Sequence, residues 1–258
     1  MNDNTNFIKK YWENQAKTHK DSYWVSWGDI YMIKLEQETI GEYIKSGQTI
    51  LDVGCSNGYS SFELLKKNPK SIIGIDFSES MIVEANKKIT DLNVNKISFE
   101  VGDIRKLRFE DDSYDIVYTT RVLINLPNWE EQKIGIKECI RVTKEGGLTI
   151  LSEAFWEPLT LLNSLRALKG LKSLVEHDFN RYLKKDKLNN FLNSLNLKFE
   201  NLDFSSIYYL GSRFLRELVT DFESYPGYSN PINKIFYDIE KKYSGGDFGI
   251  QQAYVIKK

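Results

Sequence analysis

The chain has 258 residues, with 35 Lys+Arg against 36 Asp+Glu and a formal net charge of -1. That length fits one large domain or two small ones, and it is ample for a core that needs no disulfide or metal staple. The near-zero charge argues against a dedicated basic nucleic-acid binder, and two cysteines, Cys55 and Cys139, exclude a disulfide framework and a cysteine-rich zinc site.

The start, MNDNTNFIKKYWENQ, has no apolar core of the signal-peptide kind, and no run of 18 apolar residues suggests a membrane span. The expected compartment is the cytoplasm, with both thiols reduced. Phe7, Ile8, Tyr11 and Trp12 fall at helical spacing, and Ile30, Ile33, Leu35 and Ile40 predict a second helix. An aromatic stretch, Tyr23 to Trp27, lies between them; its tryptophans, like Trp12, read as packing residues.

From Gln48 short apolar runs alternate with amphipathic segments. Strands are predicted at 49–53, 71–76, 96–101, 114–119 and 148–152. The helix at 59–67 stops at Asn68-Pro69, and Ser78 caps the next one. Asn128 and Glu131 resemble a capping box for a helix at 129–142, which Gly146-Gly147 should end. Such alternation implies a parallel sheet with helices on both faces. After Ala154 it breaks. Helices are expected through Leu161–Leu168 and 187–195, then a strand at 198–207. Helices through Phe214–Phe222 and Ile232–Ile239 follow, then a last strand at 251–256.

The segment Leu51-Asp52-Val53-Gly54-Cys55-Ser56-Asn57-Gly58 carries the sharpest chemical signal. A strand feeding a glycine turn and a helix presents backbone N–H groups to a ligand at the carboxyl edge of a sheet. A dinucleotide fingerprint would put its third glycine at position 59, which is Tyr59, so spacing disfavours a nicotinamide cofactor. Asp76 ends the second strand, where a carboxylate can accept both ribose hydroxyls. Asp103, after the third strand, can accept from an adenine amino group.

Together these residues resemble the class I S-adenosylmethionine-dependent methyltransferases. The acidic-x-Gly-x-Gly-x-Gly loop of that family reads Asp52, Gly54, Ser56, Gly58 here. The ribose motif reads Gly74-Ile75-Asp76-Phe77-Ser78, and the adenine-side motif reads Gly102-Asp103-Ile104. The fourth-strand motif reads Tyr114-Asp115-Ile116-Val117-Tyr118, followed by Arg121 to Pro127; the motif before the fifth strand runs from Arg141 to Gly147. Five motifs in the right order cover roughly residues 7–154.

The resemblance implies a doubly wound, Rossmann-like α/β fold: a seven-stranded, mostly parallel sheet with an antiparallel last strand. It implies one domain, with an N-terminal helical lid (1–47), a cofactor-binding core (48–154) and a helical cap with the last two strands (155–258). S-adenosylmethionine would lie at the ends of the first three strands. Asp52 and the loop of Gly54, Cys55, Ser56, Asn57 and Gly58 would meet its methionine part and ribose. Asp76 would hold the ribose, Phe77 and Ile104 would sandwich the adenine, and Asp103 would bond its amino group. Thr120 and Arg121 would line the sulfonium side, and Tyr11 resembles the aromatic that relatives bring down on an N-terminal helix. Two departures stand out: Ser56 replaces the middle glycine, and Asn125 stands where many relatives carry His.

Methyl transfer from a sulfonium to O or N of a small organic acceptor is the expected activity, by direct in-line displacement. A base is needed only where the acceptor carries a proton. The two histidines, His19 and His177, are the candidates, and His177 is preferred because it falls where relatives build the substrate pocket; each otherwise reads as solvent-facing. The aromatics of the cap, among them Phe179, Tyr182, Tyr208, Tyr209, Phe222, Tyr225 and Tyr228, fit an apolar pocket, a cap core or a homodimer face. Neither nucleic acid nor membrane is an expected partner. The rival from another class is a non-catalytic S-adenosylmethionine-binding regulator or partner subunit.

Overall fold

The computed structural model describes residues 3–220 and 227–258. Helices α1 (Asp3–His19) and α2 (Ile30–Tyr43) precede β1 (Thr49–Val53), α3 (Tyr59–Leu64), β2 (Ser71–Asp76), α4 (Glu79–Leu92) and β3 (Ile97–Val101). Then come β4 (Tyr114–Thr120), α5 (Trp129–Val142), β5 (Thr143–Ala154), α6 (Trp156–Leu168), α7 (Lys185–Ser194) and β6 (Lys198–Leu202). The chain ends with α8 (Ser206–Leu210), α9 (Arg216–Val219), α10 (Asn233–Glu240) and β7 (Gln251–Lys257).

The strands form one seven-stranded sheet in the order β3-β2-β1-β4-β5-β7-β6. The pairs among β1 to β5 are parallel, and β7 runs antiparallel to β5 and to β6. The chain winds outward from β1 through β2 and β3, then crosses back to β4. At that switch point the loops after β1 and β4 part, and a crevice opens at the carboxyl ends of the strands.

Both faces of the sheet are covered, so its strands read as apolar runs whose alternate residues serve opposite faces. Ile50, Ile72, Ile116 and Ile150 pack on one side with Met32, Ile40 and Leu64. Leu51, Val117 and Leu151 pack on the other with Ile136 and Cys139 of α5 and Leu188 and Leu192 of α7.

Local capping fixes several helix starts as the sequence predicts. Ser78 Oγ accepts from the Met81 amide at 3.3 Å, and Asn128 Oδ1 from the Glu131 amide at 3.0 Å. The capping box is only half made, because the Glu131 carboxylate turns away to Arg105 (3.1 Å). Gly146-Gly147 does not end α5. The helix stops at Val142, where Thr143 Oγ1 turns back to the Cys139 carbonyl (2.7 Å), and β5 already starts at Thr143, so the two glycines lie within the strand span. The strand expected at 198–207 ends at Leu202, whose partner Ala253 lies near the start of β7. Tyr208 and Tyr209, among the cap aromatics, turn inward from α8. Of the expected helix through 214–222, Phe222 lies outside the described residues, as does Tyr225.

The cap is tied to the N-terminal segment by a buried ion pair. Asp29 caps α2, its Oδ1 accepting the Met32 amide at 3.2 Å. The same carboxylate meets the Arg213 guanidinium and accepts the Tyr208 hydroxyl at 2.5 Å. Arg213 lies 4.6 Å from the centre of the Tyr228 ring. Asp29 and Arg213 are both buried, so removing one charge strands the other in low dielectric. Asp29→Ala should therefore lower the unfolding free energy by about 3–5 kcal/mol in a urea titration. A loss under about 1 kcal/mol would contradict that role for the pair.

Candidate functional site

A cleft of about 1110 Å³, its mouth included, lies over the carboxyl ends of β1, β2 and β4. Asp52, Gly54, Cys55, Ser56 and Asn57 line it from the first turn. Asp76 and Phe77 line it from the second, Asp103 and Ile104 from the third, and Thr120 and Arg121 from the fourth. Eleven of the residues singled out in the sequence thus meet in one place. Tyr11, Gly58, His19 and His177 do not line it.

The first turn is shaped by backbone geometry. Gly54 and Cys55 both donate to the Ile75 carbonyl, at 2.7 and 2.9 Å, which folds the loop against β2. Gly54 has φ +82°, and a Cβ there would come within 2.0 Å of Val122 Cγ2, so no side chain fits. Gly58 is structural as well: at φ +76°, a Cβ would come within 2.5 Å of the Phe99 ring. Ser56, in the place of the middle glycine, adopts φ +53° and donates its amide to Asp76 Oδ2 at 3.0 Å. The left-handed backbone that a glycine would take freely is kept, and its N–H is spent on a carboxylate.

Two carboxylates line the cleft, Asp52 buried and Asp76 partly buried. Asp76 accepts the Ser56 amide on one oxygen and the Ser78 amide (2.9 Å) on the other, and each oxygen keeps a lone pair. Burial pushes its carboxyl up to about 6 against the pull of those amides. Asp52 accepts the Ser61 hydroxyl through Oδ2, and the Tyr118 hydroxyl also lies close enough to favour its charged form. Burial pushes it up to about 7. Asp103 differs. Burial raises its carboxyl, but Arg105, bonded to both oxygens, outweighs burial and holds it below the ordinary value.

Asn57 serves the lid. Its Nδ2 donates to the carbonyls of Lys20 (2.8 Å) and Ser22 (3.0 Å), tying down the segment after α1. Glu13 completes the docking, accepting from the Ser78 hydroxyl at 2.9 Å and from the hydroxyl of Ser80 at the start of α4. Ile8 and Trp12, one turn apart on α1, line the cleft. Tyr11 faces the neighbouring side of that helix, against Phe179 at 4.9 Å and His177 at 5.6 Å. His177 itself is exposed, and His19 lies against Trp24. The structure brings neither histidine to the cleft.

Glu36 and Glu153 were not evident from the sequence. Glu153, buried at the end of β5, accepts the amides of Val122, Leu123 and Ile124 at 3.1, 3.1 and 3.3 Å and the Thr119 hydroxyl at 2.7 Å. It holds the loop after β4, and burial pushes its carboxyl up to about 7. Buried Glu36 of α2 meets the Arg121 guanidinium. Their only sequence signal was an acidic residue inside an otherwise apolar strand or helix face. Among the described residues no group of three or more His, Cys, Asp or Glu side chains could hold a metal ion. Glu153→Ala should leave three amides without an acceptor. It should cost about 2 kcal/mol or more of stability and speed hydrogen exchange at residues 122–124, by mass spectrometry, beyond the rest of the sheet. Unchanged exchange there would contradict the assignment.

Residues 44–206 match the model of a family described as a methyltransferase domain. An uncharacterized methyltransferase of Schizosaccharomyces pombe is 36% identical over 120 residues, 44% of this chain and 42% of that protein. The demethylmenaquinone methyltransferase of Oceanobacillus iheyensis is 32% identical over 112 residues, 43% of this chain and 46% of that one. The matched segments thus span less than half the length of these relatives. In fold, the chain is similar to Haemonchus contortus phosphoethanolamine N-methyltransferase 1, with a TM-score of 0.64 at 15% identity over 98% of this chain and 48% of that one. The family match covers well over half of the chain, and the motifs at the ends of β1 to β4 line one cleft. The chain belongs to the methyltransferase domain family, among the class I S-adenosylmethionine-dependent methyltransferases.

Proposed function

We propose that this protein transfers a methyl group from S-adenosylmethionine to O or N of a small organic acceptor. The observation that carries this is the pair of carboxylates, buried Asp52 and partly buried Asp76, flanking the Gly54 turn in the cleft at the switch point. The residues fit the cofactor. The Asp52 carboxylate, in the cleft wall at the end of β1, suits an ammonium group. The spare lone pairs of Asp76 suit two vicinal hydroxyls. Phe77 and Ile104 offer apolar walls for a base, and the carboxylate of Asp103 lies beside them. Asn57 contributes through the lid segment it secures, and Ile8 and Trp12 exclude water from the cleft.

When bound, the cofactor supplies a methyl on a sulfonium, already activated for attack. The protein's task is then alignment and exclusion of water. Thr120 lines the sulfonium side. Asn125, where many relatives carry His, lines the same cleft, with Nδ2 donating to the Arg121 carbonyl at 2.6 Å and a buried Oδ1 without a partner among the described residues. An amide side chain at that position cannot remove the acceptor's proton as a base. With His19 and His177 away from the cleft, an acceptor that reacts unprotonated or releases its proton to water suits the site.

Relatives bear names such as demethylmenaquinone methyltransferase, in keeping with small acceptors. We take residues 1–258 as one domain acting in the cytoplasm. No helix among the described residues is long and apolar enough to cross a membrane. A small-molecule acceptor, rather than nucleic acid, suits the net charge of -1.

Calorimetric titration with S-adenosylhomocysteine should show one site, and mass spectrometry of a metabolite extract incubated with S-adenosylmethionine should show a methylated product. No binding would defeat the proposal, and binding without any product would favour a non-catalytic cofactor-binding protein. Asp76→Ala should weaken binding roughly 10- to 100-fold, the loss expected for hydrogen bonds to a charged group; undiminished affinity would remove Asp76 from the ribose site. Binding should also depend on pH. Asp76 is charged above about 6 and Asp52 above about 7 in the free protein. Affinity should therefore rise as pH goes from 5 to 8 and fall as the carboxylates protonate. A flat profile would contradict the roles given to both.

A further inference from the structure

The wall of the cleft beyond β4 holds a prepared cation. Two arginines line the cleft. Arg105 is spent: Nε and Nη2 bond Asp103, and Nη1 bonds Glu131. Arg121 is not. Nη1 meets Glu36, and the guanidinium lies 5.0 Å from the centre of the Trp27 ring. Among the described residues Nε and Nη2 have no partner, and neither is among the polar atoms sealed from solvent. Arg121 thus lines the cleft with two nitrogens of its fork uncommitted among the described residues.

The support is extensive. Glu36 is 1% exposed, and its other oxygen accepts the Ser152 hydroxyl at 2.6 Å and Gln251 Nε2 at 3.0 Å. The Arg121 amide donates to the Ser152 carbonyl (2.9 Å), and its own carbonyl accepts Asn125 Nδ2 (2.6 Å). These bonds keep Arg121 at φ +58°, a left-handed conformation that a long side chain rarely adopts. Strain retained by surrounding contacts, at the end of a central strand beside a cleft, is characteristic of functional positions. Glu36 fixes one nitrogen, and the Trp27 ring lies over the guanidinium. What remains is a pair of parallel N–H donors, the geometry that takes two oxygens of a carboxylate or phosphate.

We propose that Arg121 is the specificity-determining residue for an acceptor that carries an oxyanion, a carboxylate or a phosphate ester, which it holds through its Nε–Nη2 edge. This rests on the methyltransferase reading above, because it is that reaction's acceptor that Arg121 orients. The anion docks at the fixed edge, and the nucleophile is presented toward the sulfonium side near Thr120. A neutral or cationic acceptor leaves the two donors unpaired and is rejected.

The test uses the full chain loaded with S-adenosylhomocysteine, titrated calorimetrically with inorganic phosphate, with benzoate and with neutral benzamide. The wild type should bind phosphate or benzoate saturably and benzamide at least tenfold more weakly. Saturation by phosphate alone assigns a phosphate ester, and by benzoate alone a carboxylate. Arg121→Gln should lose at least tenfold in anion affinity, at least fivefold more than any loss for S-adenosylhomocysteine. Arg121→Lys, which keeps the charge and drops the fork, should lose at least threefold and carries the comparison if the Gln variant does not fold. The proposal is overturned if the loaded wild type binds neither anion or binds benzamide equally well. It is overturned too if the variants bind the anion as the wild type does, or lose S-adenosylhomocysteine in equal measure. Failure of the wild type to bind S-adenosylhomocysteine would instead defeat the methyltransferase reading, and the anion titrations repeated without it would still decide on Arg121.

Discussion

Where β1 and β4 part, backbone groups at the carboxyl ends of the strands lose the neighbouring strand that would otherwise bond them. Such groups cannot be left buried and unpaired. The protein satisfies them with carboxylates, Asp76 in the cleft wall and Glu153 inside the molecule. Asp76 accepts two amides of the loops after β1 and β2. Glu153 accepts three amides of the loop after β4. Each charge is costly to bury alone; each becomes tolerable because several donors converge on it. The crevice stays open because side chains, and not a further strand, complete the hydrogen bonding at its walls. The cleft and these acids are thus one structural solution.

That solution explains which parts of the molecule were legible in the sequence. From β1 to α5 every signal is local. The apolar runs alternate faces, Ser78 and Asn128 cap the helices that follow them, and Asp52 and Asp76 sit at the ends of their own strands. A window of about 15 residues contains each of these. Glu153 lay hidden because its partners are about 30 positions away and belong to another strand's loop. Asp29 and Arg213 are 184 positions apart, and nothing near either residue announces the other. The glycines at 146 and 147 misled for a related reason: a helix stop was already supplied by Thr143, and β5 began earlier than its apolar run.

The lid shows how narrow a margin separates one residue from its neighbour. Tyr11 and Trp12 are adjacent, and one position rotates a side chain by about 100° around a helix axis. Helical spacing named the right helix without fixing which side faces the sheet. The choice is made by tertiary contacts: Glu13 on the serines beside α4, and Asn57 on the carbonyls after α1. With those anchors set, Ile8 and Trp12 face the cleft while Tyr11 packs with Phe179 and His177. His177 is thereby engaged with Tyr11 and Phe179, away from the cleft.

The two ends of the cleft differ in the same way. The cofactor end is assembled from residues within a few positions of the strand that presents them, so it is written in short motifs that a family can share. The end we propose for the acceptor is assembled across the chain. Arg121 meets Glu36 from 85 positions away, and Glu36 is braced by Gln251 from 215. No short motif can encode such a site, and a change at any one of its elements would retune it. A domain can therefore keep one methyl donor while its acceptor drifts, because the donor is held by strand ends that the sheet fixes in place. The acceptor, on the proposal made for Arg121, is held by side chains whose positions depend on how the helices come together around that sheet.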